Sequence, residues 1–594
     1  MRIISPSVAR RQSGLALIII MMFLGVSLIV FASIMYWISS NAKITLRNNL
    51  YNQTQAAAES ATENALASMM RDFSFQNLQA ASSYTTPPSQ TNWAIPFQFS
   101  DLNHNSNQIS VSIGLSAWQV LDSQYYGLAG YVNNCTNTAV ATPLNQGQTM
   151  SAAVQQVIQL ANVPLFQFAI FYNMDMELNP GASMTVNGRV HSNNNIWTTG
   201  AGSGGSTLNY SSSVDASGAV TLKRNPLDNQ GTRTGNVVFA DPNAPITNSD
   251  SLTMPLGVTN TPDIVRSILG PPPSALTVPT PAAYYPTGQV YLYNGADVII
   301  SNSTSGKLSL YYDDQFNATP LTPIPPDSGA NYSFVTNVSF YDYREGKTVS
   351  AVQVDVAKMN SWINNSTTNG GSTINTTVRN DKSHPINSVY VINSVPITSS
   401  TLPAVRMVNG QQLPTAGLTV ATALPLYVKG DYNITTNGTS FARTLGSTTN
   451  GNTVPAALMA DAITVLSTNW SDTYSNGTSL GSRAQPPAMT TINAATMEGI
   501  VPSDGTHYSG GVENFLRLLE DWSSKTLTYN GSIVVMFKSQ YATNFWQATG
   551  NYYNAPTRQW GFDVNFSKGE NYLPPLSPRA QYVIRASWAT IAPP

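Results

Sequence analysis

From Leu15 to Ile38 the chain carries no charge, and Gly25, Ser27 and Ser33 are the main interruptions in a run of bulky apolar residues. At 1.5 Å per residue the run makes a helix of about 36 Å, which spans a bilayer core of about 30 Å and exceeds the apolar core of an ordinary secretory signal. Neither Gly nor Pro occurs from Val26 through Thr86. Leu46, Leu50, Ala57, Ala61, Ala65 and Met69 recur at steps of four or seven, while Gln55, Glu59 and Glu63 fall on another face. This pattern predicts one helix from Leu15 to about Leu78, roughly 95 Å long, that leaves the membrane and continues as an amphipathic stalk.

Beyond the stalk the pattern shortens. Met150 to Leu160 reads as a short helix, and Phe166, Phe168, Ile170 and Tyr172, continued by Met174, Met176 and Leu178, alternate as one long strand would. Brief β runs with Gly, Asn or Asp at their corners follow at 184–193, 426–434, 460–466 and 529–536. Residues 198–260 read as Gly/Ser/Asn-rich loops, and the prolines at 271–273 and 279–286 mark a break. Gln289 to Tyr293 and Ala296 to Ile300 look like strands, and Val352 leads through a strand into a helix ending near Trp362. Phe515, Leu518, Leu519 and Trp522 share one face of an amphipathic helix over 513–522, and the last 20 or so residues read as an extended tail.

The fold class expected is mainly β: a long transmembrane and stalk helix, then a large β-solenoid-like ectodomain with α/β insertions, a β-sandwich being the structural alternative. The divisions are 1–14, a basic leader; 15–78, the helix; 79–165, a connecting region; 166–260, a first β-rich segment; 261–420, a β/α insertion; and 421–594, a second β-rich segment with an amphipathic helix and a Pro-rich tail.

Composition narrows the chemistry. Charged residues make up 10% of the 594, against about 25% in an average soluble protein, so the surface is built from neutral polar groups. A net charge of -2 offers no field to hold a polyanion, which excludes nucleic acid as an expected partner. Cys135 is the single cysteine, so no intrachain disulfide forms. Arg2, Arg10 and Arg11 on the short side of the apolar run predict residues 1–14 in the cytoplasm and everything after about residue 40 outside, in a single-pass inner-membrane topology.

Arg10-Arg11-Gln12-Ser13-Gly14 followed by Leu15-Ala16-Leu17-Ile18-Ile19 resembles the leader and first mature residues of type IV prepilin-like proteins, especially the PilX-type minor pilins. The resemblance covers about 60 residues. It implies cleavage by prepilin peptidase between Gly14 and Leu15, and packing of the helix, through positions such as Ile19, Leu24, Leu28, Leu46 and Leu50, against other pilin-like subunits. Major pilins usually carry Glu at the fifth mature position, which here is Ile19. That departure points to a minor pilin or the K-type pseudopilin rather than a filament-body subunit.

Candidate chemistry is sparse. Asp175 and Glu177 stand two apart, so a strand would put both carboxylates on one face, with His191 and Asn193 approaching from the next strand as a metal or ligand site. Solvated outward positions give the same spacing, and no metal is assigned. Asp342, Arg344 and Glu345 form the densest charge cluster, fit either for a partner's carboxylate or for a local salt-bridged turn. No catalytic residue and no cofactor is expected. The function read from the sequence is a non-enzymatic, pilus-associated surface protein that displays a β domain for adhesion, tip capping or assembly. Its expected partners are pilin-like subunits, the pilus or type II secretion assembly platform, the peptidase and an extracellular ligand. A membrane-anchored carbohydrate-active β-helix enzyme and a generic adhesin are the alternatives.

Overall fold

The computed structural model describes residues 13–121, 125, 127–144, 150–202, 205–272, 286–313, 321–367, 370–436, 438, 441–449, 451–483, 487–547 and 550–594. The leader up to Gln12 and positions 273–285 of the proline break lie outside them. A single helix, Ser13–Ser74, opens the structure. It stops four residues short of the expected Leu78, because Gln76 turns to the left-handed region (φ 54°) and its N–H closes on the Phe73 carbonyl.

The second half of this helix lies on a six-stranded antiparallel sheet. Ala129–Pro143 is the long central strand, with Phe97–Ser100, Ser110–Ile113 and Ala117–Val120 ranged along its outer side. On its other side come Ala152–Pro164 and then Arg579–Ile591. The region expected to be a connection is therefore a folded unit, and two local expectations change with it. Of Met150 to Leu160, all from Ala152 on belongs to the strand Ala152–Pro164, because a long antiparallel neighbour on each side outweighs the helical propensity of its Ala, Gln and Leu. The C-terminal tail is the thirteen-residue edge strand Arg579–Ile591.

Pro164 and Arg579 are register partners in this sheet, so everything between Leu165 and Pro578 is inserted between two adjacent strands. The insert is β-rich, and its strands stack mostly in parallel. Met176–Leu178, Met184–Val186 and Val190–Ser192 are followed by Ile196–Thr198, Thr207–Tyr210 and Val214–Ala216, each strand lying on its counterpart one circuit earlier. A third circuit is added by Val220–Thr221, Asn236–Phe239 and Ile246–Thr247. Val190–Ser192 also joins a twelve-stranded sheet that runs through Ile170–Tyr172, Ile533–Lys538, Ala495–Ile500, Ala456–Met459, Leu418–Ala421 and Ser388–Asn393 to Val298–Asn302. Stacked asparagines bond along the ladders, Asn302 to Asn393 at 3.0 Å and Asn530 to Asn493 at 2.8 Å.

Sharp corners account for the other differences. The long strand expected over 166–178 is a turn at Leu165–Gln167 and two three-residue strands, all buried. Residues 198–260, expected as loops, hold five strands of the second and third circuits. Glu513 to Trp522 is a turn at Val512–Asn514 and the short strand Arg517–Leu518; its apolar residues point inward because the chain corners there, not because it coils. Gln289 to Tyr293 is helical, split between Pro286–Val290 and Leu292–Gly295. The strand Lys347–Asp355 and helix Val356–Ile363 stand where expected.

Candidate assembly helix

The helix divides sharply by exposure. Leu15, Ile19, Leu24, Leu28 and Leu46 are exposed, Leu46 at 68%, and Leu50 is half-buried. From Ala57 onward one face disappears: Ala57, Ala58, Ala61, Ala65, Leu66, Met69 and Phe73 are buried against Cys135, Ala139, Ala141, Val154, Ile158 and Leu160 of the sheet. Alanine at four of these positions lets the helix axis approach the strands closely. The first half is long and apolar enough to cross a membrane, and among the described residues nothing covers it. Among the described residues, nothing lies within 4 Å of where a side chain at Gly14, the expected cleavage site, would begin.

Polar contacts fix the seated half. Glu63 receives Arg585 of the last strand through both guanidinium nitrogens, at 2.5 and 2.9 Å, and the Gln156 amide at 2.6 Å. The Tyr84 hydroxyl donates to Asp72 near the helix end, and burial raises the phenol to about 12. The Gln581 side chain donates to the Phe73 carbonyl.

The four residues proposed as a metal or ligand site are not gathered at one point. Asp175 precedes its strand and accepts from the Asn195 backbone and side chain and from the Trp197 indole. Glu177 turns elsewhere, to Ser503 at 2.8 Å and Asn225 at 3.3 Å, and burial raises its carboxyl to about 7. His191 and Asn193 do meet, at 2.9 Å, but the other imidazole nitrogen rests on Asp215. Among the described residues no group of three or more His, Cys, Asp and Glu is placed to hold a metal ion. Asp215 was missed in the sequence although it stands 24 residues after His191, one circuit further along the same ladder. The step from one circuit to the next lengthens from 20 residues (Met176 to Ile196) through 24 (Val190 to Val214) to 31 (Asp215 to Ile246), which hides the period.

Asp342, Arg344 and Glu345 are all buried. Asp342 accepts from the Tyr427 hydroxyl at 2.6 Å, Glu345 pairs with Arg517 at 2.6 Å and accepts from the Thr543 and Asn544 amides, and Arg344 donates to the Asn544 carbonyl. Burial, with the nearby Arg517 charge, lowers Arg344 to about 10. These groups tie the segment after Tyr541 onto the ladders, and their polar atoms are spent on internal bonds rather than offered to a partner.

No family model and no curated protein matches the chain. Among solved structures, the competence-associated pilin ComZ from Thermus thermophilus aligns over 91% of this chain and 97% of its own, at 11% identity and a TM-score of 0.26, a score too low to establish a common fold.

Proposed function

We propose that this chain is a non-enzymatic, pilin-like surface protein of the PilX type, cut by prepilin peptidase between Gly14 and Leu15 and held in the inner membrane until its helix joins a pilus or pseudopilus. The observation that carries the reading is the division of one unbroken helix: its second half is seated on the chain's own sheet, while its first half presents an uncovered apolar cylinder. An anchor alone needs only the membrane span. A helix that runs on without a break into a folded unit, behind a basic leader ending in Gly14, suits a subunit that is drawn out of lipid and packed among other helices. The β insert is then the displayed part, available for adhesion, tip capping or assembly. Ile19 in place of the usual Glu removes the carboxylate that would pair with a neighbour's amino terminus, which favours a minor position over the filament body.

The test is the N-terminal sequence and mass of the protein extracted from membranes. A start at Leu15, with or without one added methyl group, supports the reading. An intact Met1, or a cut beyond Ile38, overturns it.

A further inference from the structure

The antiparallel sheet has two unlike edges. On one side the strand Arg579–Ile591 runs thirteen residues, and among the described residues one isolated bridge is formed on its outer side, Gln581 with Thr253. Backbone direction alternates along a strand, so Val583 and Arg585 turn their N–H and C=O outward as Gln581 does. After Arg585 the sequence Ala586-Ser587-Trp588-Ala589-Thr590-Ile591 is uncharged, and Trp588 is 44% exposed. A groove of about 690 Å³ lies along residues 581–585, walled by Met70 and Phe73 of the helix and by Asp250, Ser251 and Thr253. The opposite edge consists of Ser110–Ile113 and Ala117–Val120, also uncharged, with Leu115 and Val120 exposed beside them. The first edge is interrupted by Arg585, held by Glu63, and by a bulge between Arg585 and Ser587; beyond the bulge it carries no charge, the strands of the opposite edge carry none, and both stretches are templates for another strand.

Direction selects the partner. Phe73 lies by Gln581 and Glu63 by Arg585, so the last strand runs antiparallel to the helix. Two copies joined through this same edge in antiparallel fashion would point their helices in opposite directions, which one membrane forbids. The opposite edge has the right sense: Ser110–Ile113 is antiparallel to Ala129–Pro143, which runs with Arg579–Ile591. A copy displaced sideways with its helix parallel therefore offers an antiparallel strand. The levels also agree, because Ser112, Thr136, Val157 and Ser587 form one row across the sheet.

We propose that the chain associates head to tail with a second copy of itself, the 583–590 edge of one sheet pairing with the 110–120 edge of the next to extend one sheet through successive subunits. The contact is heterologous, so it propagates rather than closing on itself. The exclusion of self-pairing rests on the membrane-anchored reading above.

Cysteine pairs in full-length protein in its membrane test the contact. Cys135 is buried and burial raises its thiol to about 11, so it is a silent background. Ser587→Cys is combined in turn with Ser110→Cys, Ser112→Cys and Gln119→Cys, the three allowing for axial offset, under a mild thiol oxidant. The expected result is a ladder of disulfide-linked multimers from at least one double variant, none from either single variant, and at least a tenfold loss when Trp588→Lys is added. No ladder from any pair, or dimers from Ser587→Cys alone, overturns the proposal. The mature N-terminus read on the same sample separates the outcomes: a Leu15 start without cross-links rejects the sheet pairing and leaves the pilin-like reading in place.

Discussion

Glu63 and Arg585, 522 residues apart, form a two-pronged ion pair that joins the first helix to the last strand. The Arg585 side chain is 62% exposed and that of Glu63 34%, so water screens the pair and its stabilising contribution falls below about 1 kcal/mol. Arg585→Ala should leave global stability nearly unchanged while hydrogen exchange quickens at 585–591, and the difference from wild type should vanish near 1 M salt. A loss well beyond 1 kcal/mol in thermal unfolding would show that the pair does more than hold down an edge.

The alanine seam should be far less tolerant. Ala58 and Ala61 are fully buried between helix and sheet. Ala61→Leu has no space to enter without moving the helix, an overpacking cost of about 1–3 kcal/mol. Limited proteolysis should then open the chain soon after Ser74, before the β insert unfolds. Unchanged protection there would mean that the seam is loosely packed.

These two contacts differ in how far the sequence disclosed them. The Ala57, Ala61, Ala65 and Met69 stripe is a local repeat, and it buries as its spacing implies. The partner of Glu63 is invisible, because nothing in the chain relates position 63 to position 585 until the insert between Pro164 and Arg579 is recognised. The same limit explains the other differences. Ala152–Pro164 is a strand only because residues 129–143 and 579–591 flank it, and Phe515, Leu518, Leu519 and Trp522 take helical spacing while facing the interior of a corner. Three-residue strands are too short to express a period of two, so the circuits after Leu165 showed their corners more clearly than their strands. Asp175, Glu177 and His191 lie close in sequence, yet Asp175 turns to Asn195 and Trp197, Glu177 to Ser503 and Asn225, and His191 to Asp215 and Asn193.

On the proposed reading, processing at Gly14 is separable from folding. A side chain there meets open space, so Gly14→Leu should leave the ectodomain's melting curve within about 0.5 kcal/mol of wild type. The protein should nevertheless keep its leader, a mass difference that intact-protein mass spectrometry resolves. A variant that folds and still begins at Leu15 removes the main support for prepilin-type maturation.

Buried carboxyls set the pH dependence. Burial raises Glu177 and Glu520 to about 7 from 4.5, and both are enclosed in the insert. The folded protein thus binds protons that the unfolded chain has already released between pH 4.5 and 7. The stabilisation from each carboxyl is complete below the unfolded value and is lost as pH rises through the folded one, in total about 3 kcal/mol per group. The insert should therefore unfold at higher urea concentration at pH 5 than at pH 8. Glu177→Gln supplies the decisive comparison: a neutral amide keeps the Ser503 contact, so this variant should gain stability at pH 8, gain little at pH 5, and flatten the profile between them. A profile equally steep in Glu177→Gln would place the titration on other groups.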